Sequence, residues 1–398
     1  MSSWYYFTHD GRQGPVDLDA LRALLTQGRV AAATMVWTAG MPDWTPANQV
    51  PALAGAQPPS APLTPGHVIA RMSSKVNVLT GTERVDAGDV GGLFSEVLKK
   101  HDEEELERVF AAGLRATTPA IADISNSPPS PWVYSRVLVF FGVTFLVLYL
   151  TWREYENINL LPGLILIGSF AFPLAAALFF YECNVTRNLS LFMFAKAFVW
   201  GGVLGIALSL ALFQLSDAIG SIIGAPIAGL IEEPGKLAAV ILLARAARYR
   251  WTLNGMCLGA AVGAGFAAFE SAGYALQFLL EEGADGMMSV IGLRGILAPF
   301  SHVVWTAITA GALWRVRQGR PFDFDMLKDR RFLAPMIAAM AIHAIWNSPL
   351  PAHVPFMGGY IALGAISWII AVGMMLGALK EVREAQGKPN EARGMPTP

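Results

Sequence analysis

Glu232 and Glu233 stand side by side in SIIGAPIAGLIEEPGKLAAVILLARA, residues 221–246, a run that otherwise reads as membrane-spanning. An ionised side chain at membrane depth costs roughly 2.5–3.5 kcal/mol on insertion scales unless partners or water surround it. A chain that keeps two carboxylates there, with Lys236 close behind, has a use for them. Three later apolar runs also carry polar groups well inside their ends: Glu270, then His302 with Thr306 one turn on, then His343 with Asn347 one turn on. Carboxylates and imidazoles are the groups of acid–base hydrolysis. Glu232 or Glu233 serves as the base that activates water, and a positive group meets the developing oxyanion. A histidine, Lys236 or a metal fills that second role. Two histidines and a glutamate form a known catalytic zinc set with an open fourth position, and Glu270, His302 and His343 are candidates for it. The HExxH helix of many zinc peptidases is absent, and a metal-free site with a glutamate base and histidine donors is equally compatible with these residues.

The elements that must position these groups follow from composition. The chain has 398 residues, 54% hydrophobic and only 15% charged, against about 25% charged for a soluble domain. Charges concentrate in residues 1–130, and long apolar runs follow Ser135. A net charge of −1 leaves no footprint for nucleic acid. The opening residues lack the basic start and apolar core of a signal peptide, so insertion is expected to rely on the later spans. Spans of about 20 apolar residues are expected at roughly 135–152, 159–180, 189–214, 221–245, 255–280, 295–314, 332–350 and 358–379, an eight-helix bundle. Arginines and lysines gather in alternate loops, at 187, at 245–250, at 315–331 and in the tail. The positive-inside rule then puts both termini in the cytoplasm. Cys183 and Cys257 form no CxxC pair and are expected to be reduced thiols.

Two further spacings matter. Gly255, Gly259 and Gly263 recur every four residues and let another helix approach closely. Glu270, seven beyond Gly263, falls on nearly the same face. Counted from the outer ends of their spans, Glu232, Glu270, His302 and His343 lie about 7–11 residues in, roughly 10–16 Å at 1.5 Å per residue. Four helices are thus expected to bring three carboxylates and two histidines to one level. Pro234 removes a backbone donor and predicts a helix break near Leu230, tolerated where a wet cavity surrounds it.

EEPGK (232–236), FAAFE (266–270), SHVVWT (301–306) and HAIWN (343–347) resemble the motifs of PrsW-type intramembrane proteases, relatives of the CAAX prenyl endopeptidases, over about residues 135–380. The resemblance implies hydrolysis of membrane-anchored protein substrates, with Glu232, Glu233, Glu270, His302 and His343 at the family's functional positions. Lys236 and Asn347 complete the candidate catalytic set. Members are often labelled metalloproteases, whereas the CAAX relatives are read as glutamate-dependent. Glu270 stands where the CAAX pattern has His, which makes CAAX processing the less favoured activity. Two other classes stay open. Carboxylate–histidine chains also serve proton- or ion-coupled transporters, and the bundle could merely anchor a scaffold.

Ahead of the spans, residues 1–55 carry aromatic clusters, short turns and an amphipathic helix at 17–27 ended by Gly28, which predicts a small α+β domain. WYY, GRQGP and VWTAGMPDW resemble a bacterial GYF-like domain over roughly residues 4–53. Trp4, Tyr6, Trp37 and Trp44 are the candidate peptide-binding residues for a Pro-rich partner. Residues 56–66 read as a Pro/Ala linker, 67–130 as a soluble, mainly helical region, 131–380 as the multi-pass domain and 381–398 as a cytoplasmic tail.

Overall fold

The structure, a computed structural model, describes residues 3–8, 11–27, 29–31, 34–53, 92–114, 116–125, 128–216 and 222–387. The linker 56–66, Gly28, the first part of the region 67–130 and the last residues of the tail lie outside the described residues. The chain divides into two compact units, Met1–Ser73 and Ser74–Pro398.

In the first unit four strands form an antiparallel sheet in the order β2-β1-β3-β4: β1 is Trp4–Thr8, β2 Gly11–Val16, β3 Met35–Thr38 and β4 Thr45–Pro46. The helix α1 (Leu18–Thr26) is capped by Asp17, whose carboxylate accepts from the Ala20 N–H at 2.7 Å. Its Leu21 and Leu25 pack with Trp4, Val36 and Val50 into the core of this unit. Strand alternation sorts the aromatics. Trp4 is buried and Tyr6 packs against the core, so these two of the four candidate peptide-binding residues face inward. Tyr5 and Phe7 point the other way and join Trp37 and Trp44, with ring centroids 6.2 Å apart for Tyr5–Trp37 and 5.2 Å for Phe7–Trp44.

The second unit is mainly helical. A short helix, α2 (Glu103–Phe110), opens with a capping box between Asp102 and Glu105. The segment around it is docked on the bundle. Leu93, Ala112 and Ile124 enter the main core, and the Gln386 amide donates to the Ile121 and Ile124 carbonyls. Then come α3 (Val133–Tyr155), α4 (Leu161–Glu182) and α5 (Leu191–Lys196), which runs through a π-turn at Ala197–Gly201 into α6 (Gly202–Leu215). The remainder is α7 (Ile227–Leu243), α8 (Thr252–Leu297), α9 (His302–Arg317), α10 (Arg330–Trp346) and α11 (Gly358–Gln386). Cys183 and Cys257 are buried and unpaired.

Five stretches of the described residues are long and apolar enough to cross a membrane: Val133–Tyr155, Ile158–Glu182, Leu191–Leu215, Thr252–Arg317 and Pro355–Gln386. The chain is therefore a multi-pass membrane protein. The helices α7 and α10, at 17 residues each, fall short of that length, so the count of eight does not follow from length and composition.

Three boundaries differ from the sequence reading. The helix α7 continues through Pro234, and the irregular backbone sits earlier, at Gly224 (φ +70°) and the turn before Ile227. The stretch expected to open a span at 295 instead ends α8. Pro299 stops it in a tight turn, and His302 becomes the first residue of α9. Finally, α8 breaks at Gly283 (φ 78°, ψ −166°), a left-handed conformation that a side chain would strain. Beyond the break the chain folds back, bringing Arg294 beside Ser271, with Nε–Oγ at 3.0 Å. A straight helix would hold positions so spaced about 34 Å apart.

The glycine ladder meets α9. A methyl group added at Gly255 would press on the Ala310 carbonyl, at Gly259 on that of Thr306 and at Gly263 on that of His302. Only glycine allows this backbone contact, and it sets the His302 backbone against α8 about two turns from Glu270. A second close approach pairs α7 with α10. A methyl at Gly229 would lie 2.5 Å from the Ala344 nitrogen, next to His343.

Candidate functional site

The two glycine contacts bring the chemistry-bearing groups of α7, α8, α9 and α10 together. Glu233 is fully buried, and its Oε1 accepts a hydrogen bond from the Lys236 ammonium at 2.6 Å and meets His343 Nδ1 at 2.9 Å. Lys236, also fully buried, reaches His302 Nδ1 at 2.9 Å. On the far side of that ring, His302 Nε2 meets Glu270 Oε2 at 3.1 Å. Glu232 Oε2 looks at all three cationic or imidazole groups from further off: His343 Nε2 at 3.7 Å, His302 Nδ1 at 3.9 Å and Lys236 Nζ at 4.0 Å. The close ion pair of Lys236 is therefore with Glu233, three residues away, rather than with Glu232.

Hydrogen bonding fixes the proton positions. Lys236 can only donate, so His302 Nδ1 accepts and the neutral ring carries its proton on Nε2, aimed at Glu270. Glu233 can only accept, so His343 carries its proton on Nδ1 and turns a bare Nε2 towards Glu232. Trp305, fully buried, stacks on the His343 ring at 4.4 Å and anchors its own Nε1–H on Ser367 Oγ at 3.0 Å. Phe266 lies against the His302 ring and under the Lys236 ammonium.

A cavity of about 840 Å³ opens onto this cluster, with Glu232, Glu270, Arg294, His302, Asn347 and Tyr360 among its lining residues. Lys236, Glu233 and His343 sit behind that surface. Asn347, the C-cap of α10, reaches the cavity but makes no direct contact with the imidazoles. Two buried carboxylate oxygens, Glu232 Oε2 and Glu233 Oε2, have no hydrogen-bond partner among the described residues. Such oxygens are costly unless water or a cation reaches them.

A metal fits this donor set, with one change to the expected ligands. Glu232, His302 and His343 each offer one atom within 4.8 Å of the others. Glu270, expected in that role, is instead held by Arg294 at 2.5 Å and by His302 Nε2. Each imidazole hydrogen-bonds a carboxylate outward, the usual support of a metal-ligating histidine, and turns an unprotonated nitrogen inward, that of His302 taken up by Lys236. Charge agrees. Three carboxylates face one ammonium and one guanidinium, which leaves one negative charge in excess and favours a cation. Its entry requires the Lys236 ammonium to leave His302 Nδ1 for the Glu233 carboxylate that already holds it.

Sequence reasoning missed Arg294, and with it Ser271 and Tyr274. A signal was present for Tyr274, four residues after Glu270 and so on the same side of α8, but not for Ser271, one residue on. It missed Trp305 as the plate behind His343, although Trp305 lies one turn after His302.

The fold and cavity define a class first: a multi-pass membrane protein whose buried carboxylates and imidazoles converge on an internal chamber. Residues 190–377 match the model of the PrsW family intramembrane metalloproteases, and residues 4–53 match GYF domain 2. The chain thus matches the PrsW family, with a GYF-like domain at its N-terminal end. The first match spans α7 to α10, the four helices that carry the cluster. No curated protein and no solved structure matches the chain. The family supports intramembrane protease activity and hence a hydrolase acting on protein substrates, and it does not favour the transporter or scaffold readings.

Proposed function

We propose that the chain is an intramembrane endopeptidase that cuts membrane-anchored proteins within or near their spans, with Glu232, Glu233, His302 and His343 as the hydrolytic centre. The observation that carries the reading is the unpartnered, buried Glu232 Oε2, 3.7 Å from one imidazole and 3.9 Å from the other, on a side chain that lines the cavity. Peptide hydrolysis needs a water held beside a base and near the scissile carbonyl. Glu232 is the carboxylate that lines the cavity next to the bare His343 Nε2 and the Lys236-bound His302 Nδ1, so it holds that water and takes its proton. Glu233 orients His343 and balances Lys236. The Lys236 ammonium supplies positive charge near the developing oxyanion. Asn347, at the cavity wall, offers an amide to the substrate backbone. A divalent cation held by Glu232, His302 and His343 would supply a bound water of lowered pKa and polarise the carbonyl.

Around this centre the proposal includes eight membrane crossings, with α7 and α10 shortened at the cavity, and both termini in the cytoplasm. The N-terminal module would recruit a Pro-rich segment on the face formed by Tyr5, Phe7, Trp37 and Trp44, with the linker 56–66 tethering it. Mass spectrometry of membrane fractions from cells with and without the protein tests the activity. New peptide termini inside the apolar spans of membrane-anchored proteins are expected. New termini confined to soluble loops, or none, would contradict the reading.

A further inference from the structure

Arg294 has no role in the scheme so far, yet it is the most deliberately placed cation at the cavity. The break at Gly283 exists to fold the chain back, and the returning segment delivers a guanidinium to Glu270. An arginine at membrane depth is expensive on any scale, so its contacts indicate its use. Its Nη2 lies 2.5 Å from Glu270 Oε2, its Nε donates to Ser271 Oγ at 3.0 Å, and its guanidinium stacks 4.5 Å from the Tyr274 ring. The three anchors, half-buried Glu270, buried Ser271 and exposed Tyr274, all lie within five residues of α8. They hold the guanidinium with one nitrogen, Nη2, on the Glu270 carboxylate and Nε on Ser271.

We propose that Arg294 is a positioning residue of the hydrolytic centre. It holds the Glu270 carboxylate against His302 Nε2, and through it fixes the His302 ring with Nδ1 turned towards Glu232 and the cavity. The same Glu270 oxygen contacts both Arg294 and His302 Nε2. Released from Arg294, the side chain could swing into the 840 Å³ cavity that it lines. His302 would then lose the acceptor that keeps its proton on Nε2. Either imidazole nitrogen could carry the proton, and for part of the time Nδ1 would face Glu232 as a donor. Such a ring can neither serve a metal nor accept from Lys236. The relay runs Arg294, Glu270, His302, with each link a direct contact. It accounts for a glutamate in α8 that the converging Glu232, His302 and His343 group leaves out.

This inference rests on the proteolytic reading for its kinetic half and stands apart from it in its structural half. The full-length protein, labelled with 15N-histidine and compared as wild type, Arg294→Gln, Arg294→Lys, Glu270→Gln and Arg294→Gln/Glu270→Gln, provides both. By nitrogen NMR, wild type is expected to hold His302 as the single Nε2–H tautomer. Arg294→Gln should show both tautomers in exchange, and Arg294→Lys should restore most of the wild-type signal. With a single-span substrate, Arg294→Gln should lower kcat at least tenfold with KM within about threefold, and the double variant should be no worse than Glu270→Gln alone. A His302 ring unchanged by Arg294→Gln would overturn the inference. So would losses that multiply in the double variant, or a raised KM with kcat intact, which would mean that Arg294 touches substrate. If wild type cleaves nothing while the tautomer shift appears, the proteolytic reading fails and the positioning relay survives.

Discussion

The helices α3 and α9 belong to the same bundle and present their side chains in opposite ways. Along α3 the large apolar residues face outward: Val139, Phe140, Val143, Leu146, Val147 and Leu150 are all more than half exposed. Along α9 nearly every residue is buried, including His302, Thr306, Thr309 and Arg317. In water the apolar helix would be the inner one. In a bilayer, lipid solvates α3 and leaves the centre for small and polar residues that close contact and hydrogen bonds can satisfy. The contrast teaches where to look for chemistry in such a fold: on the helix whose neighbours touch its backbone, not on the one with the strongest apolar run.

Several substitutions sharpen or break that contrast. A large effect on stability is expected at the α8–α9 contact. Gly263→Leu drives a side chain into the His302 carbonyl, and Gly259→Leu into that of Thr306. Overpacking costs of 1–3 kcal/mol are usual, and with backbone as the obstacle each is expected to reach about 3 kcal/mol or more. Loss of monodisperse protein in detergent would register it. Lys236→Met removes the ammonium between Glu233 and His302 and leaves a buried carboxylate uncompensated. A destabilisation of about 3–5 kcal/mol is expected from breaking a buried pair on one side, measured by thermal unfolding, and Glu233→Gln in the same chain should recover part of it. Recovery of nothing would mean that the pair is not a unit.

Smaller effects belong to the periphery. Asp329 caps α10 through the Arg331 N–H at 2.8 Å, so Asp329→Ala should cost about 1 kcal/mol. Hydrogen bonds from Arg331 hold the Asp329 carboxyl down to about 2. A depressed folded value stabilises above the ordinary carboxylate range and is lost as pH falls through about 2. The contribution should therefore be flat at neutral pH and vanish only in strong acid. Val143→Leu on the lipid face of α3 should change unfolding by less than about 0.5 kcal/mol. A large effect there would mean that α3 packs against protein and would undo the comparison.

Much of this arrangement was legible in residue spacing, and the losses have physical causes. The four-residue glycine period announced a close helix contact, and polar residues inside apolar runs marked the four helices that carry the cluster. Which carboxylate sits nearest both imidazoles could not be read, because Glu270 and Glu232 lie at the same nominal depth. The choice is made by Arg294, whose approach depends on a backbone reversal at Gly283 that no periodicity signals. The proline rule erred in opposite directions at two positions. Pro234 is carried inside α7, whereas Pro299 ends α8 and turns the chain into α9. In the N-terminal unit, period-two alternation was available to separate Trp4 and Tyr6 from Tyr5 and Phe7. Picking residues by type rather than by parity put two core side chains on the peptide-facing list.

The central claim is that carboxylates and imidazoles from four helices act together on one water. The direct measurement is cleavage of a single-span substrate by reconstituted full-length protein, comparing wild type with Glu232→Gln and His343→Ala at matched folded concentration. General acid–base and nucleophile-positioning groups are worth roughly 10²- to 10⁴-fold, so each variant should lose at least about 100-fold in kcat. Wild-type rates in both folded variants would contradict the account.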